Sequence, residues 1–221
     1  MSRVVVKVGG AVAGSVARQI QELAAGSDVC VVHGAGPQIS AEMARLGLPI
    51  AFVRGRRVTT AAALQVVRAS FAVVIAALCE AIGPSAVPLF GDAIGLVAWH
   101  VPELGLVGDP LPCRPAAIDA ALAEGLIPVV APLARGPLNV NADEAASALA
   151  IGLGAEKIVF LTDVPGLMIE GSVVPAIDAG HAEDLLAAGD LEGGIVPKLR
   201  AAVTAARLGV QAEIGETAVL A

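Results

Sequence analysis

Short apolar runs alternate with longer segments of helical periodicity along the whole chain. The runs at 4–8 and 29–32 are apolar throughout apart from Lys7, which is typical of strands buried on both faces of a parallel sheet. Further strands are predicted at 86–90, 94–99, 127–131 and 158–161, with a last strand at 211–214. Hairpins are predicted at 51–59, turning at 54–56, and at 167–174, turning at 170–171.

Helices fill the intervals between these strands. Ser15 is placed to cap a helix that runs to Ala25 and ends at Gly26. Further helices are predicted from behind the turn at 34–37 to Leu46, ending at Gly47, and at 60–82, 115–124, 141–153, 182–188 and 196–208. Strands that alternate with helices indicate an α/β fold, with a largely parallel sheet covered on both faces. The segment 133–138 is the best candidate for a seam between two lobes.

The composition fits such a fold and argues against other classes of protein. Hydrophobic residues make up 56% of the 221 residues and charged residues 16%, which is ample for a large core. No apolar run reaches the roughly 18–20 residues of a membrane span, and the most apolar stretch, 71–78, is bracketed by charges. The net charge of −7 and the scattered basic residues argue against a nucleic-acid partner.

Cysteine usage and the start of the chain both favour a cytoplasmic protein. Cys30, Cys79 and Cys113 are widely spaced and odd in number, so they form neither a disulfide framework nor a metal-ligand cluster. We expect buried, reduced thiols. The first strand-like run begins at Val4, which leaves no room for a signal or transit peptide.

Lys7 is the first residue that suggests chemistry. A lysine inside an apolar strand is costly unless it meets an anion, and Gly9 and Gly10 behind it allow a ligand to approach the backbone closely. The alternative is a lysine at a strand end that reaches solvent beside an ordinary turn.

A second glycine-rich turn follows the second predicted strand. Gly34, Ala35 and Gly36 open a helix, where backbone N–H groups and the helix dipole favour phosphate. The turn is neither a Gly-x-Gly-x-x-Gly nor a Walker motif, and a single glycine-rich turn is weak evidence for phosphate binding. The evidence is stronger here because both of the first two strand-to-helix connections contain such a turn. We expect His33 to be structural, because the sequence offers no nucleophile for it to activate.

Three later segments add polar groups at strand ends or helix starts. Helix capping needs one Asn or Asp, whereas 139–143 offers three such residues. The turn at 162–166 suits a ribose or phosphate contact and equally a plain turn. Lys198 falls in the first turn of a helix, where the dipole disfavours a cation unless it faces an anion, although a solvated lysine remains the alternative. Two lysines with backbone donors are what phosphoryl transfer requires.

The order of these motifs resembles that of the N-acetylglutamate kinases, which are members of the amino acid kinase family. The resemblance covers nearly the whole chain. It is carried by VVKVGG at 5–10, VHGAGPQI at 32–39, GRRVT at 55–59, a turn at 106–109, NVNADEAA at 139–146, LTDVPG at 161–166 and GGIVPKL at 193–199.

The resemblance implies a three-layer αβα sandwich with two lobes. Residues 1–134 would bind the acyl amino acid and form the dimer, and residues 135–221 would bind ATP. The implied reaction carries the γ-phosphoryl group of MgATP to the side-chain carboxylate of N-acetyl-L-glutamate, in arginine biosynthesis. No metal ligand is expected from the protein, since Mg²⁺ would be held mainly by the ATP phosphates.

The resemblance also assigns roles to individual residues. Lys7 and Lys198 would stabilise the transferred phosphoryl group, Asp143 would organise the lysines, and Gly10 would donate a backbone N–H. The substrate-binding candidates are Ala35, Gly36, Arg57, Asn139 and Asn141, with Arg57 and Asn139 on the α-carboxylate and amide of the acceptor. The nucleotide-binding candidates are Asp163, Val164, Gly166, Leu167, Met168, Leu191, Glu192 and Gly193.

The sequence departs from the family pattern at several places. Ala35 replaces a glycine, Val73-Val74 stands in place of Asn-Lys, the segment 90–94 is only loosely like the glycine-rich acceptor loop, and the C-terminus is short. Members that form arginine-inhibited hexamers carry an additional N-terminal helix. We therefore expect a homodimer without arginine feedback.

Two alternative functions follow from these departures. One is a kinase of the same fold that acts on another small carboxylate or a carrier-linked acyl amino acid. The other is a catalytically weak regulatory relative that only binds a ligand. The presence of Lys7, Asp143 and Lys198 argues against the second alternative, whereas Ala35 and the short C-terminus argue for it.

Overall fold

A computed structural model describes residues 2–9, 16–162 and 164–221 of the chain. Its helices are α1 (Ala17–Ala24), α2 (Gly36–Arg45), α3 (Ala61–Ile82), α4 (Gly91–Ile94), α5 (Ala116–Ala123), α6 (Ala142–Gly152), α7 (Ala179–Ala188) and α8 (Ile195–Arg207). Its strands are β1 (Ser2–Val8), β2 (Ser27–His33), β3 (Phe52–Val53), β4 (Arg56–Arg57), β5 (Ala86–Phe90), β6 (Ala98–His100), β7 (Val107–Pro110), β8 (Ile127–Ala131), β9 (Leu133–Ala134), β10 (Leu138–Val140), β11 (Lys157–Leu161), β12 (Met168–Ile169), β13 (Ser172–Val173), β14 (Ala176–Asp178), β15 (Gln211–Ile214) and β16 (Thr217–Leu220).

The central sheet has eight strands in the order β14-β16-β15-β11-β1-β2-β8-β5. All of its pairs are parallel except β15 with β16, which confirms the largely parallel sheet expected from the sequence. The four strands of this sheet that come first in the chain, β1, β2, β5 and β8, form one half of the sheet. The four that come last, β11, β14, β15 and β16, form the other half, and the two halves meet where β1 pairs with β11. The order therefore reverses at β1, and such switch points are where open α/β sheets bind ligands.

The alternation of side chains along β1 sends its residues to two different helical layers. Val4, Val6 and Val8 belong to the core cluster that includes residues of α1, α2 and α3. Val5 belongs to the opposite cluster, which includes residues of α6, α7 and α8. Helices thus cover both faces, and the three-layer αβα sandwich is confirmed. Because successive strand residues point to opposite faces, Lys7 points to the α6 layer.

A second, four-stranded sheet in the order β6-β7-β10-β9 was not predicted. The predicted strand at 94–99 is wrong in its first half, because residues 91–94 form α4 and Gly95 ends that helix with a φ of +91°. Asn139 and Val140, expected to open a helix, lie instead in β10, parallel to β7. These strands are too short to show a period in the sequence.

The C-terminal part contains two strands that the sequence did not reveal. The strand at 211–214 is not the last one, because Gly215 turns the chain into β16, which pairs antiparallel with β15 and parallel with β14. Helix α7 begins three residues before its predicted start, where Asp178 caps it by accepting a hydrogen bond from the N–H of Gly180 at 2.7 Å. The predicted cap Ser15 lies outside the described residues.

Helix α3 spans 22 residues and is capped by Thr60, which accepts a hydrogen bond from the N–H of Ala63 at 3.2 Å. Its length and composition alone would suit a membrane crossing, yet half of its most apolar 18-residue stretch is buried inside the protein. Its inward residues pack on the sheet with those of α1. We therefore regard α3 as a core helix, as its sequence suggested.

Candidate active site

A cavity of about 440 Å³ opens at the carboxyl ends of β1 and β2, beside the hairpin β3–β4 and the starts of α2, α6 and α8. It brings together eight of the residues singled out in the sequence. These are Lys7, Ala35, Gly36, Arg57, Asn139, Asn141, Asp143 and Lys198.

Lys7 and Asp143 form a buried ion pair inside this cavity. Lys7 Nζ lies 2.7 Å from Asp143 Oδ1, and the two side chains are 6% and 8% exposed. Lys7 reaches the pair from the α6 face of β1, and Asp143 reaches it from the first turn of α6. Removing two charges from water costs several kcal/mol per ion, so such a pair is a poor device for stability alone. Its position in a cavity favours a functional role.

The three polar residues at 139–143 have three separate tasks. Asn141 is the helix cap, since its Oδ1 accepts hydrogen bonds from the N–H groups of Asp143 at 2.9 Å and Glu144 at 3.2 Å. Asp143 pairs with Lys7. Asn139, in β10, donates from Nδ2 to Thr59 Oγ1 at 3.0 Å. Only Asn141 caps the helix, so the two additional polar residues did indicate roles other than capping.

Thr59 ends the GRRVT motif at 55–59, but the sequence assigned it no role of its own. Its fully buried hydroxyl donates to the carbonyl oxygen of Arg57 at 2.8 Å and accepts from Asn139. Thr59 thus fixes the Asn139 amide and the backbone of Arg57 relative to each other. A threonine two residues after a candidate arginine gave no signal in the sequence.

Arg57 is buried and held by neutral partners. Its Nη2 donates to Ser40 Oγ at 2.7 Å and to the carbonyl oxygen of Gly36 at 3.2 Å, and its guanidinium lies 4.6 Å from the ring centre of Phe52. Burial lowers the pKa of Arg57, but an arginine stays protonated. Within the described part of the chain no carboxylate forms an ion pair with it. A buried cation so placed is suited to bind an anion from solution.

The glycine-rich turn before α2 tolerates its alanine. Ala35 has a negative φ of −144°, outside the left-handed region that favours glycine, and it packs in the core cluster on this face of the sheet. Gly36 borders open space, since a Cβ atom added there would meet nothing within 4 Å. The sequence departure at Ala35 therefore introduces no backbone strain.

A second cavity of about 460 Å³ adjoins the first. Thr162, Gly194 and Lys198 line both cavities. Lys198 Nζ donates to the carbonyl oxygen of Gly194 at 3.0 Å, across the first turn of α8. The two cavities thus meet at a lysine, which is the geometry needed when one ligand passes a charged group to another.

Four of the described nucleotide-binding candidates line the second cavity: Val164, Gly166, Met168 and Glu192. Leu167 is fully buried in the core, and its N–H donates to Thr217 Oγ1 at 2.8 Å. Leu191 packs partly against the same core, and Gly193 forms an exposed turn with a φ of +70°; neither lines the two cavities. Gly10 and Asp163 lie outside the described residues.

His33 lines neither cavity, and its surroundings fit the structural role expected for it. It is fully buried, and its ring meets that of Phe71 edge-on at 5.6 Å between ring centres. Burial lowers the pKa of His33 to about 4, so the imidazole is neutral at pH 7. The described residues contain no group of three or more His, Cys, Asp or Glu side chains that could hold a metal ion.

Residues 2–215 match the sequence profile of the amino acid kinase family. The chain belongs to the amino acid kinase family. The acetylglutamate kinase of Rubrobacter xylanophilus is 42% identical over 97% of this chain and 88% of that protein. The acetylglutamate kinase of Roseiflexus castenholzii is 40% identical over 82% of this chain and 75% of that protein. Among solved structures, a protein of Streptococcus mutans superposes with a TM-score of 0.90 at 27% identity, over 99% of this chain and 98% of that chain.

The buried His33 predicts a pH dependence of stability. Its folded pKa of about 4 lies below the usual 6.5, so the unfolded chain binds more protons between these values. The free energy of unfolding should therefore fall as the pH drops from 6.5 towards 4, with a contribution of about 3 kcal/mol from this residue. Urea unfolding at several pH values measures the slope.

His33→Asn removes this contribution and should flatten the slope relative to the unchanged protein. His181→Asn, at an exposed position on α7, serves as the control and should keep the slope. If His33→Asn unfolds with the same pH dependence as the unchanged protein, the assignment of a neutral buried histidine is wrong.

Proposed function

We propose that the protein transfers the γ-phosphoryl group of MgATP to the side-chain carboxylate of N-acetyl-L-glutamate and yields an acyl phosphate and ADP, a step of arginine biosynthesis. The observation that carries this proposal is the junction of the two cavities at Lys198, next to the buried Lys7–Asp143 pair. The acetylglutamate kinases of 40–42% identity support the choice of acceptor.

The first cavity is suited to an acyl amino acid. Arg57 offers a guanidinium without a carboxylate partner among the described residues, and this planar group grips a carboxylate in a bidentate pair. Asn139 donates to Thr59, which leaves its carbonyl oxygen to accept the acceptor's amide N–H. Arg57 would thus hold the α-carboxylate while the side-chain carboxylate points towards Lys7 and Lys198.

The two lysines would act on the moving phosphoryl group. The acceptor carboxylate oxygen attacks the γ-phosphorus, the bond to the β,γ-bridging oxygen breaks, and the electron pair leaves with ADP. Lys7 and Lys198 would neutralise charge on the transferred group, and Asp143 holds the ammonium of Lys7 in place. Both substrates are positioned by the protein, and no covalent enzyme intermediate is needed.

Two helix starts would add backbone donors for phosphate. Helices α2 and α8 begin at the cavities, and neither has a side-chain cap on its first N–H groups. Helix starts of this kind favour anions. Val164, Gly166, Met168 and Glu192 would surround the nucleotide. We place Mg²⁺ on the ATP phosphates, as part of the substrate.

We further propose that the two halves divide the work, with residues 1–134 holding the acceptor and residues 135–221 the nucleotide. Lys7, Gly36 and Arg57 come from the first half, whereas the second cavity is lined from the second half alone. Asn139 and Asp143 belong to the second half by number but complete the acceptor cavity. A cytoplasmic location fits the substrates proposed.

The proposal predicts acyl phosphate formation that depends on Lys198. Incubation with MgATP, N-acetyl-L-glutamate and hydroxylamine should yield a hydroxamate, and Lys198→Met should lower kcat by about a hundred- to a thousandfold through loss of charge stabilisation. Lys157→Met is the matched control, because Lys157 pairs with Glu213 on the sheet away from both cavities. Hydroxamate formed only from another carboxylic acid would overturn the acceptor, and none from any acid would overturn the kinase.

Arg57→Lys should affect the KM for N-acetyl-L-glutamate more than the KM for ATP. Lysine keeps the charge but loses the bidentate pair, so KM for N-acetyl-L-glutamate should rise about ten- to a hundredfold with a smaller change in KM for ATP. Arg45→Lys, which alters an exposed ion pair on α2, should change neither value. Equal increases in both KM values for Arg57→Lys would remove its assignment to the acceptor.

A homodimer is part of the proposal, and the exposed face of α3 is the surface we assign to it. Ala69, Ala72, Val73 and Ala76 form one exposed stripe at i, i+3, i+4 and i+7, and Val73 is 67% exposed. Small side chains allow two helices to approach closely, and an apolar stripe gains stability when it is covered. The edge strand β5 lies at the end of the sheet packed under α3.

Light scattering should therefore give about twice the chain mass of 21.9 kDa. Val73→Glu should lower the mass to that of one chain, because a charge would be buried in the contact. Leu46→Glu, at another exposed apolar position, should leave the dimer intact. A mass of six chains would contradict the proposed homodimer, and a dimer unaffected by Val73→Glu would rule out this surface.

A further inference from the structure

The hairpin β3–β4 is fastened to the protein by two consecutive arginines. Residues 51–55 are all exposed, so the loop itself contributes little packing. Neighbouring strand residues point to opposite sides, and the two arginines follow this rule. Arg57 reaches Ser40 in α2, whereas Arg56 reaches β7 and α6.

Arg56 binds two carboxylates from different parts of the fold. Its Nε and Nη2 donate to Glu144 Oε1 at 3.2 and 3.0 Å, and its Nη1 pairs with Asp109 of β7. The side chains of Arg56 and Glu144 are 25% and 15% exposed. Partial burial makes such charge-assisted bonds stronger than those at the surface. The charge of Arg56 is therefore compensated within the protein, unlike that of Arg57.

Each end of the Arg56–Glu144 contact is the chain neighbour of a site residue. Arg56, which also lines the first cavity, precedes Arg57, and Glu144 follows Asp143, which holds Lys7. Asn141 caps the N–H groups of both acidic residues, so the start of α6 moves as one unit. The contact thus ties the backbone that carries the anion-binding arginine to the backbone that carries the buried ion pair.

We propose that Arg56 is a positioning residue for the acceptor: by clamping the hairpin to Glu144 and Asp109, it sets the distance between Arg57 and the reacting end of the cavity. This inference rests on the proposed function, since it takes Arg57 to be the residue that binds the acceptor's α-carboxylate. A misplacement of about 1 Å at such a contact lowers activity by up to about a hundredfold.

Arg56→Met tests the clamp, since methionine keeps much of the side-chain length without the charge. KM for N-acetyl-L-glutamate should rise about ten- to a hundredfold, while KM for ATP and kcat at saturating acceptor change by less than about threefold. Arg56→Lys keeps one charge-assisted bond and should restore part of the loss. Arg114→Met is the matched control, because Arg114 grips Asp119 in the same two-pronged way far from the cavities, and it should leave both KM values unchanged.

A double-mutant cycle with Glu144→Gln separates the clamp from general weakening. Arg56→Met and Glu144→Gln should raise the acceptor KM less than additively when combined, because each removes the same contact. Additive effects, an unchanged acceptor KM, or a loss of kcat with equal changes in both KM values would overturn the proposal. If Arg56→Met fails to fold, Glu144→Gln alone tests the same contact from its other end.

Hydrogen exchange gives a readout that does not depend on catalysis. The backbone amides of 52–57 should exchange faster in Arg56→Met than in the unchanged protein, and those of β1 should not. If the unchanged protein forms no acyl phosphate, the proposed function fails while this comparison still tests the clamp. Unchanged exchange in 52–57 would overturn the clamp whatever the substrate is.

Discussion

The buried ion pair between Lys7 and Asp143 is the constraint on which the rest of the site depends. Two charges removed from water must face each other, so the carboxyl end of β1 and the first turn of α6 are held 2.7 Å apart at their charged tips. This contact fixes the start of α6 over the switch point of the sheet. Asn141 and β10 precede that start directly, so the cap and Asn139 take their places from the same constraint. The price of burying the pair makes sense where a phosphoryl group is to be neutralised.

Around this pair the fold arranges two kinds of positive charge. Arg56 and Arg57 both line the first cavity, but Arg56 is compensated by the carboxylates of Glu144 and Asp109, whereas Arg57 is held by neutral groups. Lys198 stands at the junction of the two cavities. The two neighbouring arginines thus differ in whether a carboxylate of the described residues pairs with them.

The departures from the family pattern fall on positions that the structure accommodates. Ala35 has a negative φ and so does not need the left-handed conformation that favours glycine. In α3, Val74 packs in the core and Val73 lies on the outer face, so neither lines the first cavity. The loosely matching segment 90–94 forms the end of β5 and the short helix α4, and likewise lies outside the residues that line this cavity. These substitutions therefore leave the polar residues of the first cavity in place.

The sequence by itself determined six of the eight strands of the central sheet, the long helices and the lysines that line the first cavity. Continuous apolar runs, caps and glycine turns are local signals, and a lysine inside an apolar strand stands out without any partner. Only the tertiary structure decided what the polar residues at 139–143 do, because their partners lie far away in the chain: Asn139 meets Thr59 across 80 residues, and Glu144 meets Arg56 across 88. The second, four-stranded sheet could not be predicted for the same reason. Its strands have only two to four residues, so they are stabilised by neighbours that are distant in the chain and show no alternation of apolar and polar residues in the sequence.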